Sequence, residues 1–437
     1  MGGASAGQVE RRLTPCSVLV VGSSNTDYVL AGIARLPQLG ETVLVQGPKV
    51  SFQVTPGGKS ANASIASSRY FSGRNDGTVC LIASVGKDEN GRNALQNYER
   101  EGVFAALSKQ SGEEASGVAL ILVTHSGENA ILVAPGANSI LTPDDFQDHA
   151  ADGQGNVRLE ELRTASVVLM QLEIPMDTVR WVADALFTPP LPALGPLLLL
   201  NLAPLGADVT EAMLEALFAH SPIIIVNELE CKQLMKTLLA SNPEEVSVAL
   251  NLAEQGEWRG CQTRVMERAP SLRALIVTLG AAGACALHRF GARVASESSA
   301  LTETSTSRMT LEWLHEPAEL LPDFGPVVDT TGAGDCFCGV LAAALAEELA
   351  KRCQQTARPM KSSPTTGVVD LDAKEFGRAF RFATAAATLS VTRKGAQQSF
   401  PKREEVERFI RQLQKRPAAP SVPVQSAASP FGYTALH

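Results

Sequence analysis

The eight cysteines (Cys16, Cys80, Cys231, Cys261, Cys285, Cys336, Cys338 and Cys353) include no C-x-x-C pair, and none has a histidine at zinc-ligand spacing. Neither a metal knuckle nor a disulfide framework is therefore supported; the residues read as reduced thiols of an intracellular, cytoplasmic protein. Cys336 and Cys338 lie two apart on a predicted helix, point to different faces, and suit packing. The chain also lacks an excess of positive charge: 38 Lys+Arg against 46 Asp+Glu leave a net −8, which argues against a nucleic-acid surface. No apolar run is long enough to span a bilayer, and the first fifteen residues lack an apolar h-region, so no membrane partner is expected. The terminal Ala-Leu-His does not match a Ser-Lys-Leu peroxisomal signal. A Walker A loop is missing as well. Gly58-Lys59-Ser60 resembles the end of one, but the glycine required five residues earlier is Gln53.

What the 437 residues do contain is 45% apolar and 19% charged side chains, enough for a large core and suited to small-molecule chemistry. The stretch Val328 to Phe337 carries the strongest local signal. It runs through two threonines and two glycines to Asp335, where an apolar helical pattern begins (Phe337, Val340, Leu341, Ala344, Leu345). The free N–H groups of such a helix start can hold an anion beside a carboxylate. An ordinary aspartate N-cap gives the same pattern.

In chain order, residues 1–16 read as a flexible arm, 17–415 as the folded domain and 416–437 as a disordered tail. Strand Ser17 to Val21 is followed by Gly22-Ser-Ser-Asn-Thr-Asp27, where Asn25 and Asp27 either bind a polyhydroxy ligand or form an Asx-turn. Strand-like alternation over 42–57 and 118–138, with Ser126 to Asn129 as a hairpin turn, predicts an antiparallel lid outside the main sheet. Between these segments, Gly57-Gly58 reads as a hinge with a close backbone approach, and Lys59 and Asn62 as ligand contacts on the first helical turn. From about residue 164, strands at 166–169, 197–200, 223–226 and 274–278 alternate with helices. That pattern predicts a doubly wound α/β fold, a mostly parallel sheet with helices on both faces. Each strand ends in polar or small residues, together describing one rim lined for binding. Asn227-x-x-Glu230 either orients hydrated Mg²⁺ or makes a capping box, and Thr278 to Gly283 is a turn suited to a nucleotide. Segments 151–157, 296–308 and 354–368 read as insertions.

The order of Gly22 to Asp27, Gly57 to Asn62, Gln171 to Glu173, Asn227 to Glu230, Thr278 to Gly280, Asp329 to Asp335 and Val391 to Gln397 resembles the ribokinase family of sugar kinases. The resemblance runs from about residue 17 to 412 and implies transfer of the γ-phosphoryl of ATP to the 5-hydroxyl of ribose. It implies Asp335 as the base and the N–H groups of Gly332, Ala333 and Gly334 as an anion hole. Asn25, Asp27, Gly58, Lys59, Asn62, Glu173 and Asp335 would contact the sugar, and Asn227, Thr278, Gly280, Gly283 and Gly334 the nucleotide. Glu230 would support Mg²⁺. A monovalent cation, K⁺, would sit at Asp329, Thr331, Ser390, Arg393, Gly395 and Ser399, mostly through carbonyls. Two positions depart from the family pattern: Thr384 stands where a larger residue flanks adenine, and Leu202 interrupts Asn-Pro-Ala-Pro at 201–204. Kinases for another pentose, deoxyribose or a nucleoside, and an inactive sugar-binding protein, are alternatives. Pairing of exposed lid edges across a two-fold axis would give a homodimer.

Overall fold

Strands and helices begin to alternate where short β-branched runs give way to amphipathic ones. The computed structural model describes residues 16–47, 50–74, 77–105, 108–125, 129–146, 163–187, 195–290, 311–355 and 371–415. The predicted arm apart from Cys16, the tail, the hairpin tip at 126–128, the insertions at 151–157 and 296–308, and all of 354–368 beyond Gln355 lie outside the described residues.

The strands are β1 (Val18–Val21), β2 (Asn25–Ile33), β3 (Ser51–Gly57), β4 (Val79–Ile82), β5 (Ser84–Gly86), β6 (Val103–Phe104), β7 (Lys109–Ser111), β8 (Gly117–Thr124), β9 (Asn129–Ala134), β10 (Val167–Gln171), β11 (Leu197–Asn201), β12 (Ile223–Asn227), β13 (Ala274–Thr278), β14 (Ala284–His288) and β15 (Glu312–Glu316). The helices are α1 (Lys59–Phe71), α2 (Glu89–Arg100), α3 (Met176–Phe187), α4 (Glu211–Phe218), α5 (Glu228–Leu238), α6 (Pro243–Glu254), α7 (Trp258–Arg268), α8 (Ala333–Gln355), α9 (Ala373–Ser390) and α10 (Arg403–Gln414).

Nine strands form the main sheet in the order β15-β14-β13-β12-β11-β10-β1-β4-β6. All pairings from β13 to β6 are parallel; β14 and β15 add an antiparallel edge. The alternation of strand side chains divides the core in two. Val18 and Val20 face a cluster built with α1, α8, α9 and α10, while Leu19 and Val21 face one built with α3 to α7. Helix α8 is buried on every side from Cys336 to Ala346, as its lack of a polar face requires, and both cysteines there are packing residues. At Gly339 an added Cβ would overlap the Ala63 backbone of α1, so these helices meet at van der Waals distance.

The second sheet has the order β3-β2-β8-β9. Its outer pairs are antiparallel and its central pair, β2 with β8, is parallel. The lid strand expected over 42–57 is shorter: β3 starts at Ser51, where it first finds a partner in Ala31 of β2, and 41–46 is irregular and largely exposed. Asn25 and Asp27 lie on β2 itself and not in an Asx-turn. The cysteines also need correction, since Cys16 and Cys80 form a disulfide with Cα atoms 6.1 Å apart. Parallel pairing of β1 with β4 brings these distant positions together, which sequence spacing does not reveal. Among the described residues no helix is long and apolar enough to cross a membrane.

Candidate active site

Asp335 lies in the first turn of α8, just after Gly332 turns the chain at φ +73°. A side chain at Gly332 would press on Ala396 and Phe400, so the turn is packed from behind. In front of it space is open: nothing lies within 4 Å of a Cβ built on Gly334. Of the three N–H groups expected to form an anion hole, that of Ala333 is already engaged with the Thr330 carbonyl at 3.3 Å, a long bond.

Asn62, buried on α1, donates from Nδ2 to Asp335 Oδ2 at 2.8 Å. Lys59 opens the same helix and its N–H donates to Glu173 Oε2 at 3.1 Å; that oxygen also accepts from the Ser23 hydroxyl. Gly58 precedes it at φ +90°, where a Cβ would lie 2.7 Å from the Asn25 nitrogen. The close approach expected of Gly58 is present. Asn25 and Asp27, two apart on β2, share one face of that strand. Asn25 Oδ1 accepts from Asn138 Nδ2 at 2.8 Å, and the Asp27 carboxylate covers Gly57.

Asp335, Glu173 and Glu230 act by charge on the Lys59 ammonium, and Lys59 acts likewise on Asp27. Burial, then the negative charges of Asp335 and Glu173, push Asp27 up to about 7, with Lys59 opposing. Burial also raises Asp335, against the pull of Lys59 and the Asn62 bond. Lys59 would be lowered by burial alone, but Asp335, Glu173 and Glu230 outweigh that and raise it. All three shifts run upward, the carboxyls mainly through burial and Lys59 through its acidic neighbours, and clustered perturbations of this kind are frequent at functional clefts.

Asn227 and Thr278 end adjacent strands β12 and β13 in register. Asn227 and Glu230 form the capping box, with bonds of 2.9 and 2.8 Å, so the local alternative read from sequence holds. Glu230 is raised mainly by burial and still feels Lys59 and Asp335. Gly280 and Gly283 follow at φ +52° and +90°. Gly283 packs against Glu316 and Pro317, which with Thr384 and Thr388 line a cavity of about 250 Å³. Leu202, by contrast, is fully buried in the core and is not among the residues lining this cavity.

Behind the helix start, Asp329 Oδ1 accepts from the Thr331 N–H and hydroxyl (2.9 and 2.7 Å), and Oδ2 from the Gly395 N–H at 2.8 Å. Ser399 and Ser390 are buried nearby in sequence order and donate to the Ala396 and Ala387 carbonyls. The Arg393 guanidinium pairs with Glu405, so only its backbone is available to a cation. Among the described residues no group of three or more His, Cys, Asp or Glu side chains converges as a metal centre.

Sequence reasoning did not find Ser23, Asn138 or Tyr98, which bonds the Ser24 hydroxyl. Each works by long-range packing; for Asn138 the only local signal is the turn at Gly136. Gln171, whose Oε1 accepts from Ser60, and Gln397 lay inside recognised motifs without a role.

Comparison with known proteins identifies the setting. The model of the pfkB family carbohydrate kinases matches residues 17–300 and 318–403. A ribokinase of Haemophilus influenzae is 26% identical, with 90% of this chain and 98% of the relative aligned. A ribokinase of Bacillus subtilis is 29% identical over 90% and 99%. The structure of ribokinase from Giardia lamblia superposes with a TM-score of 0.65 at 25% identity, covering 92% of this chain and all of that one.

Proposed function

The chain belongs to the pfkB family of carbohydrate kinases, and from that membership we propose that it transfers the γ-phosphoryl of ATP to the 5-hydroxyl of D-ribose, giving ribose 5-phosphate and ADP. The observation that carries the reading is the Asp335 carboxylate, held by Asn62 at a helix start that opens onto free space. On this reading the sugar lies between β2 and α1, bound by Asn25, Asp27, Gly58, Lys59, Asn62 and Glu173. Asp335 accepts the proton of the attacking hydroxyl as the oxygen bonds to phosphorus and ADP departs. The Gly332 and Gly334 N–H groups, joined by that of Ala333 when it leaves its long bond to the Thr330 carbonyl, meet charge developing on the transferred phosphoryl. Burial of Asp335 supports this role, because a carboxylate shifted upward is a stronger base at neutral pH.

The nucleotide is proposed to run along Asn227, Thr278, Gly280 and Gly283 towards the cavity beside Thr384. Magnesium chemistry, neutralisation of phosphate charge, fits a metal carried in on ATP with most of its water, since among the described residues no cluster of three acidic, His or Cys side chains is present and Glu230 would be its support. Residues 329, 331, 390, 393, 395 and 399 would hold a K⁺ through carbonyls and hydroxyls, stiffening the turn behind the anion hole. The second sheet supports a homodimer. Phe52, Val54, Leu120 and Leu132 are exposed, and by strand alternation lie on the face opposite Asn25 and Asp27.

The test is a panel of pentoses, deoxyribose and nucleosides with MgATP, with and without K⁺, on the wild type and Asp335→Asn. D-ribose is expected to be preferred, and Asp335→Asn to lose about 10²–10⁴-fold in kcat while remaining folded. Preference for a nucleoside overturns the substrate; near-normal turnover by the variant overturns the base.

A further inference from the structure

Asn62 is the one side chain that bonds Asp335 directly among the described contacts, yet an amide cannot by itself choose which end it presents. Its two ends are nearly identical in shape and opposite in hydrogen-bonding sense. Turned around, Asn62 would set a carbonyl oxygen against the carboxylate. Something must hold it.

The hydrogen bonds continue away from the site through three further residues. Asn62 Oδ1 accepts from Gln397 Nε2 at 2.9 Å, and Gln397 Oε1 accepts from Asn97 Nδ2 at 2.9 Å. Asn97 Oδ1 in turn accepts from Arg100 Nη2 at 2.5 Å. Asn62, Gln397 and Asn97 are each at least 95% buried, so water does not substitute for these partners. Every amide accepts from behind and donates ahead. The two ends of the chain set that direction: a guanidinium only donates, and an ionised carboxylate only accepts. Each internal link could flip alone only by facing donor with donor or acceptor with acceptor, so the orientation is cooperative.

We infer that Gln397 is a positioning residue of the kinase reaction, and that with Asn97 it locks the Asn62 amide so that its N–H, and not its carbonyl, faces Asp335. The inference rests on the reading of Asp335 as the base. Glutamine suits this place because it accepts on one side and donates on the other. Glutamate would accept on both sides, and methionine would do neither. Gln397 touches no reacting atom, and its backbone is itself pinned, its carbonyl accepting from Arg69 Nη1 at 2.6 Å.

The distinctive consequence is action at a distance. Asn97→Asp keeps the shape and the Arg100 partner but offers Gln397 only an acceptor. Gln397 then turns to donate to residue 97, Asn62 turns to donate to Gln397, and the Asn62 carbonyl ends against Asp335. Asn97→Leu removes the link without reversing it.

The experiment measures kcat and both KM values on the full-length protein with MgATP and D-ribose, or the panel sugar that is turned over. Asn97→Asp is expected to lose about 10- to 100-fold in kcat, with KM for ATP held within about twofold, and Asn97→Leu much less. In a Gln397→Met background, which cuts the chain, the added Asn97→Asp change should have no further effect. Gln397→Glu should fall at least as far as Asn97→Asp. If a Gln397 variant does not fold, the contrast between the two Asn97 variants decides alone. An Asn97→Asp loss no larger than that of Asn97→Leu, or undiminished in the Gln397→Met background, overturns the inference. Asp335→Asn separates the two readings: activity in that variant removes the base and the relay with it, whereas an inactive Asp335→Asn beside a normal Asn97→Asp removes only the relay.

Discussion

Gly58→Ala perturbs the junction of the two sheets at a point where the structure allows a magnitude to be worked out. The residue sits at φ +90° and ψ 132°, a conformation that costs an L side chain about 1–3 kcal/mol. The new Cβ would also lie 2.7 Å from the Asn25 nitrogen, 2.9 Å from Ser24 Cα and 3.0 Å from the Ser23 carbonyl. All three are backbone atoms of the β1–β2 connection or the first residue of β2 and cannot rotate away, so overpacking adds about 1–3 kcal/mol. The expected loss is therefore about 2–6 kcal/mol, a large share of the roughly 5–15 kcal/mol by which a folded protein is stable. Gly280→Ala is the matched control. It has positive φ (+52°) but nothing within 4 Å of the added carbon, so only the left-handed penalty of about 1–2 kcal/mol applies. Urea midpoints of the two variants compare the costs directly. Activity adds a second readout, because the Asn62 N–H donates to the Gly58 carbonyl at 2.8 Å and Lys59 is the next residue. Displacing this start of α1 by about 1 Å should lower kcat about 100-fold. A Gly58→Ala protein within about 0.5 kcal/mol of Gly280→Ala refutes the reasoning, since steric contact would then contribute nothing beyond the φ penalty.

Two further outcomes are expected. Asp27 is raised to about 7 in the folded protein, so its contribution to stability is full below its unfolded pKa near 4 and is lost as pH rises through 7. Melting temperatures of the ligand-free protein should therefore fall between pH 4 and 7 more steeply for wild type than for Asp27→Asn; parallel slopes would refute the shift. Leu132→Glu places a charge on the exposed face of the second sheet, opposite Leu120 in register, and should convert the proposed dimer to monomer in sedimentation at micromolar concentration. Wild-type protein that is already monomeric there removes the dimer.

What sequence made legible was local and periodic. The start of α8 at Asp335 could be read because glycines, a carboxylate and an apolar helical pattern coincide within ten residues. The parallel sheet could be read because its strands are short, apolar and separated by helices. Strand β2 could not, because its residues follow no strict alternation and it is defined by neighbours on both sides, β3 and β8. The antiparallel edge of β14 and β15 was missed in a region expected to continue the parallel pattern. The same limit applies within the site. Asn62 and Gln397 are 335 positions apart and nothing local to either names the other, although both stand inside motifs that were read. The 42–47 segment shows the opposite error: alternation predicted a strand where, among the described residues, none pairs with it.

On the proposed reading strand β2 plays two parts, covering the cleft and carrying Asn25 and Asp27 within it. If those side chains grip the sugar, raising the cover and releasing the sugar are a single event, with no intermediate in which an open cleft still holds its cargo by both sides. Asp335, by contrast, opens a helix enclosed by the core, and on the same reading it would stay in place. Affinity for the sugar would then include the work of seating a whole sheet. Substitutions on the outer face of that sheet, far from any hydroxyl group, would alter how long the product stays bound.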